Sequence, residues 1–181
     1  MNVDDLIIAL ESKTGDDFLV ELSTRVYQPP LSLLLEGPSE VPAALRIPML
    51  VIKFNTELHM SSIHGFLENN TGYYLSETIE ALEAIGAHTT ARTMGNIRSI
   101  LVRHGVDLSD RESIQKFHWD YWEEADLLRA EIKAEADNLT YAHPRAYESE
   151  DVFGMLQRYV DANRGGLLLA IRSCASRGAQ S

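Results

Sequence analysis

One hundred and eighty-one residues suffice for one substantial domain. With 45% hydrophobic, 8% aromatic and 24% charged residues, the chain can bury a sizeable core, which excludes wholesale disorder. Sixteen Lys plus Arg against 27 Asp plus Glu give a net charge of -11, whereas a general nucleic-acid binder needs a basic face to displace the counterions around phosphate, so direct nucleic-acid binding is not expected.

Val3, Leu6, Ile7 and Leu10 occupy the i, i+3, i+4, i+7 positions of one helical face and predict a short amphipathic helix. Thr14-Gly15-Asp16-Asp17 caps a second, with Phe18, Leu22 and Val26 inward, and Tyr27-Gln28-Pro29-Pro30 ends it. Five of the six prolines lie from Pro29 to Pro48, and Gly37-Pro38-Ser39 is a strong turn signal, which places a hinge between the helical pair and the main body. Ala43 to His59 is apolar with few breaks. It reads as a buried helix entered near Pro48 or as a buried strand over Met49 to Phe54, and the helix is preferred because no second strand-like run exists to pair with it.

Ser76 is placed to cap a helix with Glu77 and Glu80 in its first turn, Ile79, Leu82 and Ile85 inward, and Gly86 as the left-handed residue at its end. A helix from His88 to Arg103, with Met94, Ile97, Leu101 and His104 on one side, closes at Gly105 and completes a hairpin. Ser109-Asp110-Arg111-Glu112 has the capping-box pattern. After it Ile114, Phe117, Tyr121, Ala125, Leu128, Ile132, Ala136 and Leu139 recur in steps of three and four. They predict a helix ~45 Å long near 110–139 with one apolar seam, or one broken near Trp119 to Trp122. Ser149 caps a last helix with Val152, Met155, Leu156, Tyr159 and Val160 inward, and Gly165-Gly166 separates it from a tail helix reaching Cys174. The expected fold is all-α, a single helical domain of about eight or nine helices. Its segments are an N-terminal helical pair (1–38), a helical body (39–165) and a C-terminal tail helix (166–181).

The single cysteine, Cys174, has no internal disulfide partner, and the Met-Asn-Val-Asp-Asp start is acidic where a signal peptide would be basic. The longest apolar runs, Ile47 to Ile52 and Leu167 to Ile171, fall short of the ~20 residues of a membrane span, so a cytoplasmic protein is expected. His64 and Glu68 share a helix face, but neither an HExxH motif nor a paired histidine accompanies them. There is no phosphate loop and no Gly-x-Ser-x-Gly elbow. Paired carboxylates such as Glu123-Glu124 are too abundant to single one out as catalytic. No catalytic residue, metal or cofactor is therefore expected.

Charge placement is more informative. Residues 1 to 45 hold eight acids and two bases, 46 to 110 seven and five, 111 to 165 twelve and seven, and the remainder two bases only. On the long helix Asp120, Glu124, Glu131 and Glu135 line up beside the apolar seam, with Glu123 nearby, and neighbours on one face recur about every 5 to 6 Å. Such a row suits a basic partner; the alternative is a solvated face softened by Lys116, Arg129 and Lys133.

Glu57-Leu58-His59-Met60-Ser61-Ser62-Ile63-His64-Gly65-Phe66-Leu67-Glu68-Asn69-Asn70-Thr71-Gly72, followed by Ala81-Leu82-Glu83-Ala84-Ile85-Gly86-Ala87 and later by Tyr147 to Tyr159, resembles the DNA-mimic-protein family of small acidic bacterial helical proteins. Gly65-Phe66, Asn69, Gly72 and the Ala81 to Ala87 string carry the match, which covers roughly residues 40 to 163. His64 departs from the family pattern at the first of two glycines, and Leu67-Glu68 stands where aromatics are usual. The resemblance implies a non-enzymatic protein, often a homodimer, whose surface carboxylates imitate duplex phosphates and occupy a basic DNA-binding protein. With the charge pattern it nominates Asp120, Glu123, Glu124, Glu131 and Glu135 as partner-binding residues. The alternatives are an immunity-type protein acting by shape through Trp119 and Trp122, and hydrolase chemistry at His64 and Glu68.

Overall fold

In the computed structural model, residues 3–25, 27–28, 41–110, 113, 125–137, 139 and 150–178 are described. Among them the apolar periodicity resolves into seven α-helices and no strand: α1 Val3–Glu11, α2 Gly15–Arg25, α3 Ala43–Glu68, α4 Leu75–Ala84, α5 His88–Arg103, α6 Ala125–Ala136 and α7 Val152–Gly178. A 3-10 turn, Asn70–Tyr74, leads into α4. The fold is all-α as expected, with seven described helices instead of the expected eight or nine. The chain divides into two compact units, Met1–Ile52 with Phe153–Ser181, and Lys53–Val152.

In the first unit α1 and α2 pack together and bury Leu6, Ile7, Leu10, Phe18, Leu19 and Leu22. Side chains of α7 close their ends. Arg164 donates to the carbonyl of Glu11 at 2.5 Å and lies over the Phe18 ring at 5.8 Å, placing a cation at the negative end of α1. The backbone N–H of Gly15, at the start of α2, donates to Asp161 at 3.0 Å. α7 runs unbroken through Gly165-Gly166, so the separate tail helix expected from that doublet is not present. The reason is packing: Leu167, Ala170 and Ile171 are buried and hold the helix through two weak helix formers, and Gly166 faces the Cβ of Ala44 on α3.

The helical reading of Ala43 to His59 holds, but the entry is at Ala43, where Leu45 and Arg46 donate to the Pro42 carbonyl, and Pro48 lies inside the helix. Met49, Leu50, Val51, Ile52 and Phe54 are all buried, which erases the amphipathic period.

Within the second unit α3 is broken at Ser62, whose φ of 65° and ψ of -174° lie in a region that is essentially glycine's and costs of order 1–3 kcal/mol. Beyond it, α4 and α5 form the expected hairpin, with Ile79, Leu82 and Ile85 packed with Ala91, Met94, Ile97 and Leu101 in the core. Both helices end in the same way. Gly86, at φ 87°, donates to Glu83 while Ala87 donates to Leu82; Gly105, at φ 85°, donates to Val102 while Val106 donates to Leu101. These paired bonds satisfy the last carbonyls of each helix.

The start of α5 has no capping side chain of its own. Glu150 supplies one from across the unit, accepting from the backbone N–H groups of Thr89 at 3.1 Å and Thr90 at 2.8 Å. α6 packs against α5 and buries Leu128 and Ile132, realising the C-terminal part of the long predicted helix. It ends at Ala136, short of Leu139, while Ile114, Phe117, Trp119, Tyr121 and Trp122 lie outside the described residues. The expected Ser109 capping box involves residues outside those described. Ser109 donates its N–H and hydroxyl to Asp107, and its expected partner Glu112 lies outside the described residues.

Gly86→Ala forces a side chain into positive φ and is expected to cost about 1 kcal/mol, whereas Gly95→Ala, in the middle of α5 with open space where its Cβ would stand, is expected to stabilise by about 0.5–1 kcal/mol; urea denaturation distinguishes the signs. Partial burial works to raise the Glu150 carboxyl, but the N–H groups of Thr90 and Thr89, with the Thr90 hydroxyl and His88, outweigh it and leave it below its ordinary value. A depressed folded value means that this contribution is complete above the unfolded carboxylate value, about pH 4.3, and is lost as pH falls through the lower folded one. Glu150→Gln should therefore cost about 1 kcal/mol at neutral pH and flatten stability below pH ~4.3, read from denaturation midpoints across pH.

Candidate functional site

Glu131 and Glu135 stand one turn apart on α6, on the side that meets α5. Glu135 accepts from the amide of Asn96 at 2.8 Å. Glu131 accepts from Arg103 and lies 3.4 Å from the Nε2 of His104. The Arg103 hydrogen bond holds the Glu131 carboxyl below its usual range, against the opposing effect of desolvation and with His104 adding to the lowering. Asn96, Arg103, Glu131 and Glu135, with Ser99, Ile100 and Ala134, line a shallow groove of about 490 Å³. Asn96 and Arg103 are seven residues apart and so share a face of α5; that face meets the two carboxylates. These members of the expected acidic row thus make contacts within the fold. Asp120, Glu123 and Glu124 lie outside the described residues. Farther along α6 the charges are mixed, with Lys133 donating to Asp137 at 3.1 Å.

The more continuous acidity lies elsewhere in the same unit. Residues 54–91 contain five glutamates, Glu57, Glu68, Glu77, Glu80 and Glu83, and neither Lys nor Arg. On α4, Glu80 and Glu83 are exposed and Glu77 half-buried, opposite the inward Ile79 and Leu82, and the helix carries no basic residue. Among the described residues none of these three makes an ion pair. Steps of three residues space them at ~4.5 Å along the axis. Counting charge by helix instead of by long window finds this row, because a window from 46 to 110 mixes it with Arg92, Arg98 and Arg103 of α5.

The residues that carry the family resemblance gather around the break in α3. Asn69 donates its side-chain amide to Glu57 at 2.7 Å, and Phe66 packs edge-on against Phe54 with ring centroids 5.3 Å apart at 87°. A Cβ on Gly65 would stand 2.0 Å from that of Ser61, and one on Gly72 would stand 2.3 Å from the carbonyl oxygen of Leu67. Thr71 donates to the Phe66 carbonyl at 3.0 Å. Asn69 does not cap the 3-10 turn with its side chain, which is taken by Glu57. These residues therefore build the turn. His64 and Glu68 are half-buried beside it, and among the described residues no group of three or more His, Cys, Asp or Glu is placed to hold a metal ion.

Because the Gly65 contact is with a Cβ and not with the far end of a flexible side chain, Gly65→Ala is expected to destabilise by about 1–3 kcal/mol. Adding Ser61→Gly should recover part of that loss in a chemical-denaturation double-mutant cycle; equal stability of Gly65→Ala and the parent would contradict the close approach.

A family model for DMP19-like proteins matches residues 39–163, which include α3 to α6 and the start of α7. No curated protein and no solved structure matches the chain. Among the described residues no helix is long and apolar enough to cross a membrane. With the matched region spanning well over half of its 181 residues, the chain belongs to the DMP19-like protein family.

Proposed function

We propose that this chain is a non-enzymatic, cytoplasmic acidic protein that occupies the nucleic-acid face of a basic DNA-binding protein, acting as a mimic of double-stranded DNA. The observation that carries this reading is the stretch 54–91 inside the family-matched region, with five acids and no Lys or Arg, and its row on α4, exposed at Glu80 and Glu83 and half-buried at Glu77. One carboxylate per ~4.5 Å of helix axis is close to the one phosphate per 3.4 Å along a strand of duplex DNA. Glu77, Glu80 and Glu83 are the described residues assigned to the partner. Asp120, Glu123 and Glu124 join them on sequence grounds, while Glu131 and Glu135 are given the internal role of fastening α6 to α5.

Charge-led association of this kind weakens as salt rises, because exposed charges are screened within a Debye length of ~8 Å at physiological ionic strength. The experiment is a titration of the protein into a panel of DNA-binding proteins, with duplex DNA as competitor, at increasing ionic strength. Binding should fall with salt and exclude DNA. Replacing Glu77, Glu80 and Glu83 together by Gln should weaken it about tenfold or more and reduce the salt slope, while Glu131→Gln should change affinity less than about twofold. Binding that ignores salt, or that persists unchanged in the triple variant, would overturn the assignment.

A further inference from the structure

The break in α3 does more than bend a helix. In an unbroken helix Phe54 and Phe66, twelve residues apart, would be separated by ~18 Å along the axis, as would Glu57 and Asn69. Their rings stand 5.3 Å apart and the Asn69 amide reaches Glu57 at 2.7 Å, so the chain folds back on itself at Ser62. Nothing local demands this. His59 to His64 contains neither Gly nor Pro, and the break places a serine in backbone space that is essentially glycine's. The turn is exposed at His59, Met60, Ser61 and Ser62, Met60 at 79%, and burial resumes at Ile63, the first residue past the break. Contacts that join the two arms include the Phe54 and Phe66 pair, the Glu57 and Asn69 bond, and the close fit of Gly65 on Ser61.

Local preference and tertiary contact thus point in opposite directions along one segment, which is the condition for two discrete arrangements. We propose that α3 is a two-state element, folded back at Ser62 in one state and continuous through Ser62 in the other, with the backbone at Ser62 setting the balance. The continuous state separates Phe66 from Phe54 and releases Asn69 from Glu57. Because the break lies inside the stretch 54–91, the two states present different acidic surfaces, and a partner that binds one better would draw the population toward it. That last step rests on the partner-binding reading; the two-state behaviour does not.

The test uses the full chain with Cys174→Ser, Glu57→Cys and Asn69→Cys, which can form a disulfide only when α3 is folded back. Disulfide formation under a mild oxidant is compared for Ser62, Ser62→Gly and Ser62→Val. Gly, which accepts positive φ, should speed cross-linking about fivefold, and the β-branched Val should slow it about fivefold. The Val variant should keep its far-UV helicity and a cooperative urea transition. Equal rates on all three backgrounds would overturn the proposal, and so would loss of cooperative unfolding in the Val variant, which would make the break a fixed requirement of the fold. No partner enters this readout, so failure of the DNA-mimic reading would leave it standing, and its own failure would leave the salt-dependent binding test intact.

Discussion

Every helix end leaves backbone donors or acceptors without an intrahelical partner, and meeting that constraint decides how this protein uses its charge. Arg164 meets it at the end of α1, Asp161 at the start of α2 and Glu150 at the start of α5, while Gly86 and Gly105 let α4 and α5 close with backbone alone. Further acids are tied up between elements: Glu131 and Glu135 join α6 to α5, Glu57 holds Asn69, and Glu21 is kept low in pKa by Lys13 and Arg25. The net charge of -11 therefore overstates what is available to a partner. An acid already serving as a cap or clamp cannot serve a second role without weakening the fold.

This sorting explains what was legible beforehand. The bounds of α5 and the closures at Gly86 and Gly105 could be read because the signals are local: an apolar period followed by a glycine that alone accepts positive φ at no steric cost. The start of α3 was obscured because Met49 to Ile52 is buried on every side, leaving no period to read. Gly165-Gly166 looked like a stop, yet the burial of Leu167, Ala170 and Ile171 outweighs the propensity of two glycines. The break at Ser62 has no local signal, since it is imposed by residues twelve apart in sequence. The even spacing of Glu131 and Glu135 correctly put them on one face, but spacing says nothing of what stands opposite, and there α5 places Arg103 and Asn96.

α4 differs from α6 in what faces its acids. Its apolar side, Ile79, Leu82 and Ile85, meets α5 through side chains that carry no charge, so the hairpin makes no demand on Glu80 and Glu83. The basic residues of α5, Arg92, Arg98 and Arg103, lie after the closing turn on a separate helix, and Arg103 is already held by Glu131. A row of like charges on a short helix is mildly self-repelling, which favours unfolding unless packing resists it. Here the resistance comes from the buried Leu82 and from the paired bonds at Gly86, which fix the end of the helix carrying Glu83. The backbone that carries Glu77, Glu80 and Glu83 is thus held by packing and by the closing turn. On the DNA-mimic reading proposed above, a helix held in this way would meet a basic partner without first having to order its backbone, which is where α4 would differ from a face kept acidic only for solubility.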